Sequence, residues 1–122
     1  TTKILTALLF VENVAPDEVV ACNDAAIGKV GESSLHIKPG ERFPAEDLLK
    51  GFLLRSANDG GVVMAQRVGG SVAGFSRMMN ARAEELGARN SHFVNPHGLH
   101  DPNHYTTASD LAILARAAME NP

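Results

Sequence analysis

The feature that most restricts the fold is the nearly continuous apolar run of residues 4–14. Eight of these eleven residues are hydrophobic, and the leucines recur at helical spacing. A helix that is apolar on almost every side has to be surrounded by other parts of the chain. The sequence therefore predicts a buried helix over Lys3–Val14, ended by Pro16, with the remaining elements packed around it.

Four further segments combine helical spacing of apolar residues with start or stop signals. In order along the chain, they begin at Pro44, Val62, Ser71 and Thr107. Glycines at 69–70 and 87 are expected to end the second and third of them. The inward-facing residues are predicted to be Leu48, Leu49, Phe52, Leu53, Val72, Phe75, Met79, Leu86, Leu111, Leu114, Ala115 and Ala118.

Two short segments are typical of β-strands. They are Val19–Cys22 and Leu35–Lys38, the second of which leads into a Pro-Gly turn. Hydrophobic residues make up 44% of the 122 residues, which is enough for one compact unit with its own core. The fold prediction is one unit over residues 1–122, mainly α with a small β-ribbon.

Charge and composition exclude some functions. The 11 Lys and Arg residues face 14 Asp and Glu, so the net charge is −3 and no basic footprint for nucleic acid exists. No apolar run reaches the roughly 18 residues of a membrane span, and we expect any signal peptide to precede the sequence. Cys22 is the only cysteine, so no internal disulfide is possible, and its apolar neighbours favour a buried side chain.

A candidate site lies where the second helical pattern stops. Residues 53–61 change from leucines to Ser56, Asn58 and Asp59, followed by two glycines that would let the next helix approach closely. Ser56 and Asp59 also have the spacing of a capping box. Asp59 is accordingly expected to be a cap or a buried partner rather than a catalyst.

Two short motifs together resemble those of the active-site serine enzymes that react with penicillin. Those enzymes carry Ser-x-x-Lys, then Ser-x-Asn, then Lys-Thr-Gly. Thr1-Thr2-Lys3 is similar to the last three residues of the first motif, and Ser56-Ala57-Asn58 matches the second. The resemblance implies that the nucleophilic Ser directly precedes Thr1, and that Lys-Thr-Gly, which does not occur in the 122 residues, follows them.

Longer segments resemble one family, the D-alanyl-D-alanine carboxypeptidases, which are low-molecular-mass penicillin-binding proteins. These segments are collinear with the family and cover residues 35–40, 53–59, 79–83, 86–87 and 92–99. The resemblance implies the helical subdomain of the α/β β-lactamase/transpeptidase-like fold, without its main antiparallel sheet.

The same resemblance implies a chemistry. A serine-type carboxypeptidase removes the terminal D-alanine of peptidoglycan stem peptides through an acyl-enzyme, and β-lactam antibiotics acylate it. Lys3 would be the general base, Ser56 would relay a proton, and Asn58 would bind substrate. No cofactor or metal is implied. The parent enzyme is expected outside the cytoplasm, in the periplasm or at the cell surface, secreted and membrane-associated. The 122 residues alone are expected to be inactive.

Three alternatives remain open. A peptidoglycan D,D-endopeptidase of the same family would share the motifs and cut a different bond. His97, His100 and His104, with Asp101, have a spacing that could hold structural zinc. Thr1 could be an N-terminal nucleophile, although a helical pattern follows it directly.

The first helix also predicts self-association. If residues such as Ile4, Leu8 and Phe10 remained exposed, contiguous apolar surface would favour a symmetric dimer or an exchange of that helix between copies.

Overall fold

A computed structural model of the chain describes residues 2–21, 41–55, 58–98 and 101–120. Within these ranges the chain forms five helices and two short strands. In chain order they are α1 (Thr2–Asn13), β1 (Val19–Ala21), β2 (Arg42–Pro44), α2 (Ala45–Arg55), α3 (Asn58–Gly69), α4 (Val72–Leu86) and α5 (Ala108–Met119). The prediction of a mainly helical fold with a small β-ribbon is confirmed.

Among the described residues, β1 pairs with a strand that the sequence did not predict. β1 pairs antiparallel with β2, and Val20 lies opposite Phe43. The predicted strand Leu35–Lys38 lies outside the described residues, as does Cys22. Pro44 was expected to open a helix and is instead the last residue of β2, with α2 beginning at the next residue.

The first helix is central, as predicted. α1 contacts all four other helices. The expected exposure of Leu8 and Phe10 is wrong, because these side chains are only 3% and 2% exposed. The neighbouring helices cover α1 on most sides, which leaves Ile4 partly buried and Val11 at its open edge.

Two clusters of buried side chains lie on either side of α1. One joins it to the ribbon, α2 and α3, and the other joins it to α4 and α5. The predicted inward positions Leu48, Phe52, Phe75, Met79 and Leu114 are all buried. The prediction that Leu53 faces inward is wrong, because this residue is 51% exposed. α2 buries the face that carries Leu48 and Phe52, and Leu53 lies one residue beyond Phe52, about 100° around the helix.

The helix ends show which local signals were correct. The Ser71 hydroxyl accepts from Gly74 N at the start of α4, and Gly87 adopts φ 95° at its end. Thr107 accepts from Asp110 N, which confirms the predicted cap of α5. The Asp110 carboxylate does not bond Thr107 N as in a capping box. It accepts hydrogen bonds from Asn90 N and Ser91 Oγ in the preceding loop instead.

α3 begins at Asn58, four residues earlier than predicted, so both glycines lie in its first turns. A Cβ at Gly61 would lie 2.9 Å from Phe52 Cε1. The predicted close approach of the two helices is therefore confirmed. Among the described residues, no helix has the length and apolar character needed to cross a membrane.

Candidate active site

Lys3 lies in the first turn of α1, next to the aromatic core. Its Nζ is 5.9 Å from the centroid of the Phe52 ring. Burial desolvates the ammonium and lowers the pKa of Lys3 below its usual 10.5. A lowered pKa raises the fraction of neutral amine, which is the form that can accept a proton.

Asn58 and Asp59 are the first two residues of α3, the helix that packs against Phe52 at Gly61. Asn58 is 5% exposed, so its amide is more deeply buried than expected for a group facing an open cleft. Asp59 is buried and accepts a hydrogen bond from Gly60 N through Oδ1 at 2.9 Å. Its position agrees with the structural role that the sequence favoured. Ser56, the predicted proton relay, lies outside the described residues, as does Thr1.

Phe52 connects the two halves of the candidate site. Its ring lies under the Lys3 amine and also against Gly61 in α3. Phe52 is fully buried. The structure therefore sets the first turn of α1 and the early turns of α3 against one rigid side chain.

Sequence reasoning missed a set of polar contacts between α1 and the loop that joins α4 to α5. His104 Nε2 lies 2.6 Å from Thr2 Oγ1, and the Thr6 hydroxyl donates to Pro96 O at 2.7 Å. The available signal was the pair of threonines, which stand four residues apart in a mostly apolar helix.

The described part of the histidine loop does not form a metal site. Among the described residues, no three His, Cys, Asp or Glu side chains are grouped so that they could hold a metal. Both ring nitrogens of His104 are occupied by Thr2 and by Val94 N. His100 lies outside the described residues. The described residues therefore give the zinc alternative no support, and the alternative itself stays a prediction.

His97 is partly buried, and its pKa is lowered from 6.5 to about 4. Burial is the largest cause, followed by the positive charge of Lys3 and by His104. The imidazole is thus neutral at pH 7.

We expect His97 to make the fold sensitive to acid. Between about pH 6.5 and about pH 4 the unfolded chain binds a proton at residue 97 that the folded chain does not. Stability is therefore lost as the pH falls through this range. Free energies of unfolding at pH 7 and pH 4.5 should differ less in His97→Gln than in the unchanged protein. His92→Gln, on the exposed part of the same loop, is the control, and an identical pH dependence in the unchanged protein and His97→Gln would contradict the prediction.

Asn58→Ala and Leu48→Ala should separate activity from stability. Leu48 is 1% exposed, so its truncation should cost about 2–5 kcal/mol of folding free energy. In the full-length protein, Asn58→Ala should cost less than this and, as the substrate-binding role that the resemblance implies requires, mainly slow acylation by a β-lactam. Melting temperature and acylation rate are measured for both variants. A much lower melting temperature with unchanged acylation in Asn58→Ala would remove Asn58 from the site.

Comparisons with known proteins agree in sequence and in fold. A family model described as D-alanyl-D-alanine carboxypeptidase matches residues 1–121. The chain is 38% identical over 125 residues to the D-alanyl-D-alanine carboxypeptidase DacF of Bacillus subtilis. This alignment covers 98% of the chain and 32% of DacF, so the chain spans about a third of that relative.

Solved structures of the same class superpose closely. The D-alanyl-D-alanine carboxypeptidase of Mycobacterium tuberculosis has a TM-score of 0.91 at 33% identity, over 99% of this chain and 46% of that one. Penicillin binding protein 6B of Escherichia coli gives 0.90 at 33% identity, over 98% of this chain and 41% of that one. The match in sequence extends over nearly the whole chain and is accompanied by the same fold, and the chain therefore belongs to the D-alanyl-D-alanine carboxypeptidase family.

Proposed function

We propose that these 122 residues are the helical lobe of a serine-type D-Ala-D-Ala carboxypeptidase that trims peptidoglycan stem peptides. The observation that carries the proposal is Lys3, a partly buried amine with a lowered pKa in the first turn of the central helix. It stands at the lysine of the Ser-x-x-Lys pattern, within the range matched by the family model.

The reaction we propose has two steps. The hydroxyl of a Ser preceding Thr1 attacks the carbonyl carbon between the two D-alanines, and neutral Lys3 takes its proton. The C–N bond breaks, and the leaving amine receives a proton through Ser56, so that D-alanine departs and a serine ester remains. Water then cleaves the ester and restores the hydroxyl. Asn58 holds the peptide amide during the first step.

The same serine would open a β-lactam ring, because the lactam carbonyl takes the place of the scissile peptide carbonyl. Relatives named as penicillin binding proteins support this part of the proposal. The partner classes are therefore peptidoglycan stem peptides as substrate and β-lactam antibiotics as acylating inhibitors.

The test is made on the full-length protein. Incubation with a stem pentapeptide should release free D-alanine, and incubation with a fluorescent penicillin should give a labelled band on denaturing electrophoresis. Neither is expected with the 122 residues alone, which contain no Lys-Thr-Gly and no Ser before Thr1-Thr2-Lys3. A full-length protein that releases no D-alanine and takes no label would overturn the proposal. Faster cleavage of cross-linked peptide dimers than of monomers would indicate the D,D-endopeptidase alternative.

The proposed substrate implies a location. Since mature peptidoglycan lies outside the cytoplasmic membrane, we propose that the protein acts in the periplasm or at the cell surface. Fractionation of cells that express the full-length protein should find it in an extracytoplasmic or membrane fraction. Recovery from the cytoplasm alone would contradict this location.

We also propose that the 122 residues by themselves associate with a second copy. α1, α2 and α5 leave an open groove lined by the hydrophobic residues Ile4, Ala7, Leu8, Val11, Leu49, Leu53 and Ala118. The proposed contact between the two copies therefore does not include Phe10, which the sequence had placed in it. Sedimentation should report a dimer that Leu53→Glu dissociates, while Leu54→Glu, outside the groove lining and 83% exposed, leaves it intact. A monomer at high concentration would refute the contact.

A further inference from the structure

Three contacts hold the loop between α4 and α5 against the first turns of α1. His104 meets Thr2, and Thr6 donates to Pro96 O. At the third contact, a Cβ on Gly98 would lie 3.2 Å from Thr2 Cβ, so only a residue without a side chain fits there easily. Gly98 also adopts φ 84°, which favours glycine. The loop thus encloses the residue that directly precedes Lys3.

His104 is itself held in place. Val94 N donates to its Nδ1 at 3.0 Å, so Nε2 carries the proton and donates to Thr2 Oγ1. Burial is the main reason that the pKa of His104 is lowered below 6.5, which keeps the Nδ1 acceptor available at pH 7. The ring packs against Phe93 in a T-shaped arrangement, with ring centroids 5.4 Å apart.

The base of the loop is fixed to α4 by one amide. Asn80 Oδ1 accepts from Phe93 N at 2.8 Å, and Asn80 Nδ2 donates to Phe93 O at 3.0 Å. Phe93 is fully buried. A continuous set of contacts therefore runs from α4 through Phe93 and His104 to Thr2.

The start of a helix needs such support. The first turn lacks intrahelical partners for its N–H groups and frays easily. In this helix the first turn carries Lys3, and the proposed nucleophile would precede it. Misplacing reacting groups by about 1 Å can cost on the order of 100-fold in rate.

We propose that His104 is a positioning residue, which holds the first turn of α1 through Thr2 so that Lys3 and the nucleophile meet in the reactive geometry. The contacts are independent of the proposed function, but the chemical consequence rests on it.

The experiment is a double-mutant cycle in the full-length protein. Thr2→Val and His104→Ala should each slow acylation by a fluorescent penicillin by about 10- to 100-fold. The double variant should be no slower than the slower single variant, because both changes remove the same hydrogen bond. Thr2→Ser, which keeps the hydroxyl, should restore most of the rate. His92→Ala is the matched control, since this exposed ring bonds Asn103 O in the same loop.

A second readout does not depend on catalysis. With ¹³C-labelled lysine, the NMR titration of Lys3 should move toward the ordinary value of 10.5 in Thr2→Val, because a loosened first turn exposes the amine. Unchanged acylation together with an unchanged Lys3 titration would overturn the positioning role. If the unchanged protein takes no label, the proposed function fails, and the titration alone decides the positioning role. If His104→Ala does not fold, Thr2→Val and His104→Gln decide it.

Discussion

Replacing Lys3 with alanine in the full-length protein should reduce acylation by penicillin by about 10²–10⁴-fold, the usual contribution of a general base. Lys3→Arg should slow acylation by a similar factor, because a guanidinium stays protonated and cannot accept the proton. Stability should change little in Lys3→Ala. The desolvation that lowers the pKa of Lys3 is relieved, while a cation–π contact of about 0.5–1 kcal/mol with Phe52 is lost.

The matched control for this change is Lys50→Ala. Lys50 forms an exposed pair with Glu46 in α2, with a side chain that is 62% exposed, and its removal should leave acylation unchanged. In the unchanged protein, acylation should also rise with pH as Lys3 loses its proton, at a pH below the ordinary 10.5. Rapid acylation of Lys3→Ala, at the rate of Lys50→Ala, would rule out Lys3 as the base.

Gly69→Ala should strongly destabilise the helical lobe, by about 3 kcal/mol or more. Its Cβ would lie 2.3 Å from Phe75 N and 2.6 Å from Phe75 Cα. Because these are backbone atoms of α4, no side-chain rotation can relieve the clash, and the two helices would have to separate. Phe75 is fully buried in the core that joins α1, α4 and α5, so the separation would open that core.

Gly70→Ala provides the comparison. Gly70 has φ 78°, but a Cβ there would meet nothing within 4 Å. Only the backbone conformation is penalised, which costs roughly 1–2 kcal/mol. Urea unfolding of both variants measures the difference. If the two variants lost the same free energy of unfolding, α3 and α4 would be able to move apart at Gly69 at little cost.

Local signals in the sequence predicted most of the helical architecture. The apolar run of α1 required a central position, because its side chains have no polar face to turn toward water. Ser71 and Gly87 marked the ends of α4 through hydrogen bonds to groups within four residues. Lys3 was predicted to be a site residue from Thr1-Thr2-Lys3, which resembles the last three positions of Ser-x-x-Lys. Helix burial, helix ends and short motifs depend on residues that are close together in sequence, so they can be predicted from local patterns.

The partners across the fold were decided only by the tertiary structure. Thr2 and His104 are 102 positions apart, and nothing in either local pattern indicates that they meet. The exposure of Leu53 and the pairing of β1 with β2 were likewise missed, since both depend on how whole elements pack. Periodicity determined which helices form and that α1 is buried. The packing of those helices determined which loop holds the first turn of α1, because long-range contacts are chosen by shape and hydrogen-bond geometry rather than by spacing along the chain.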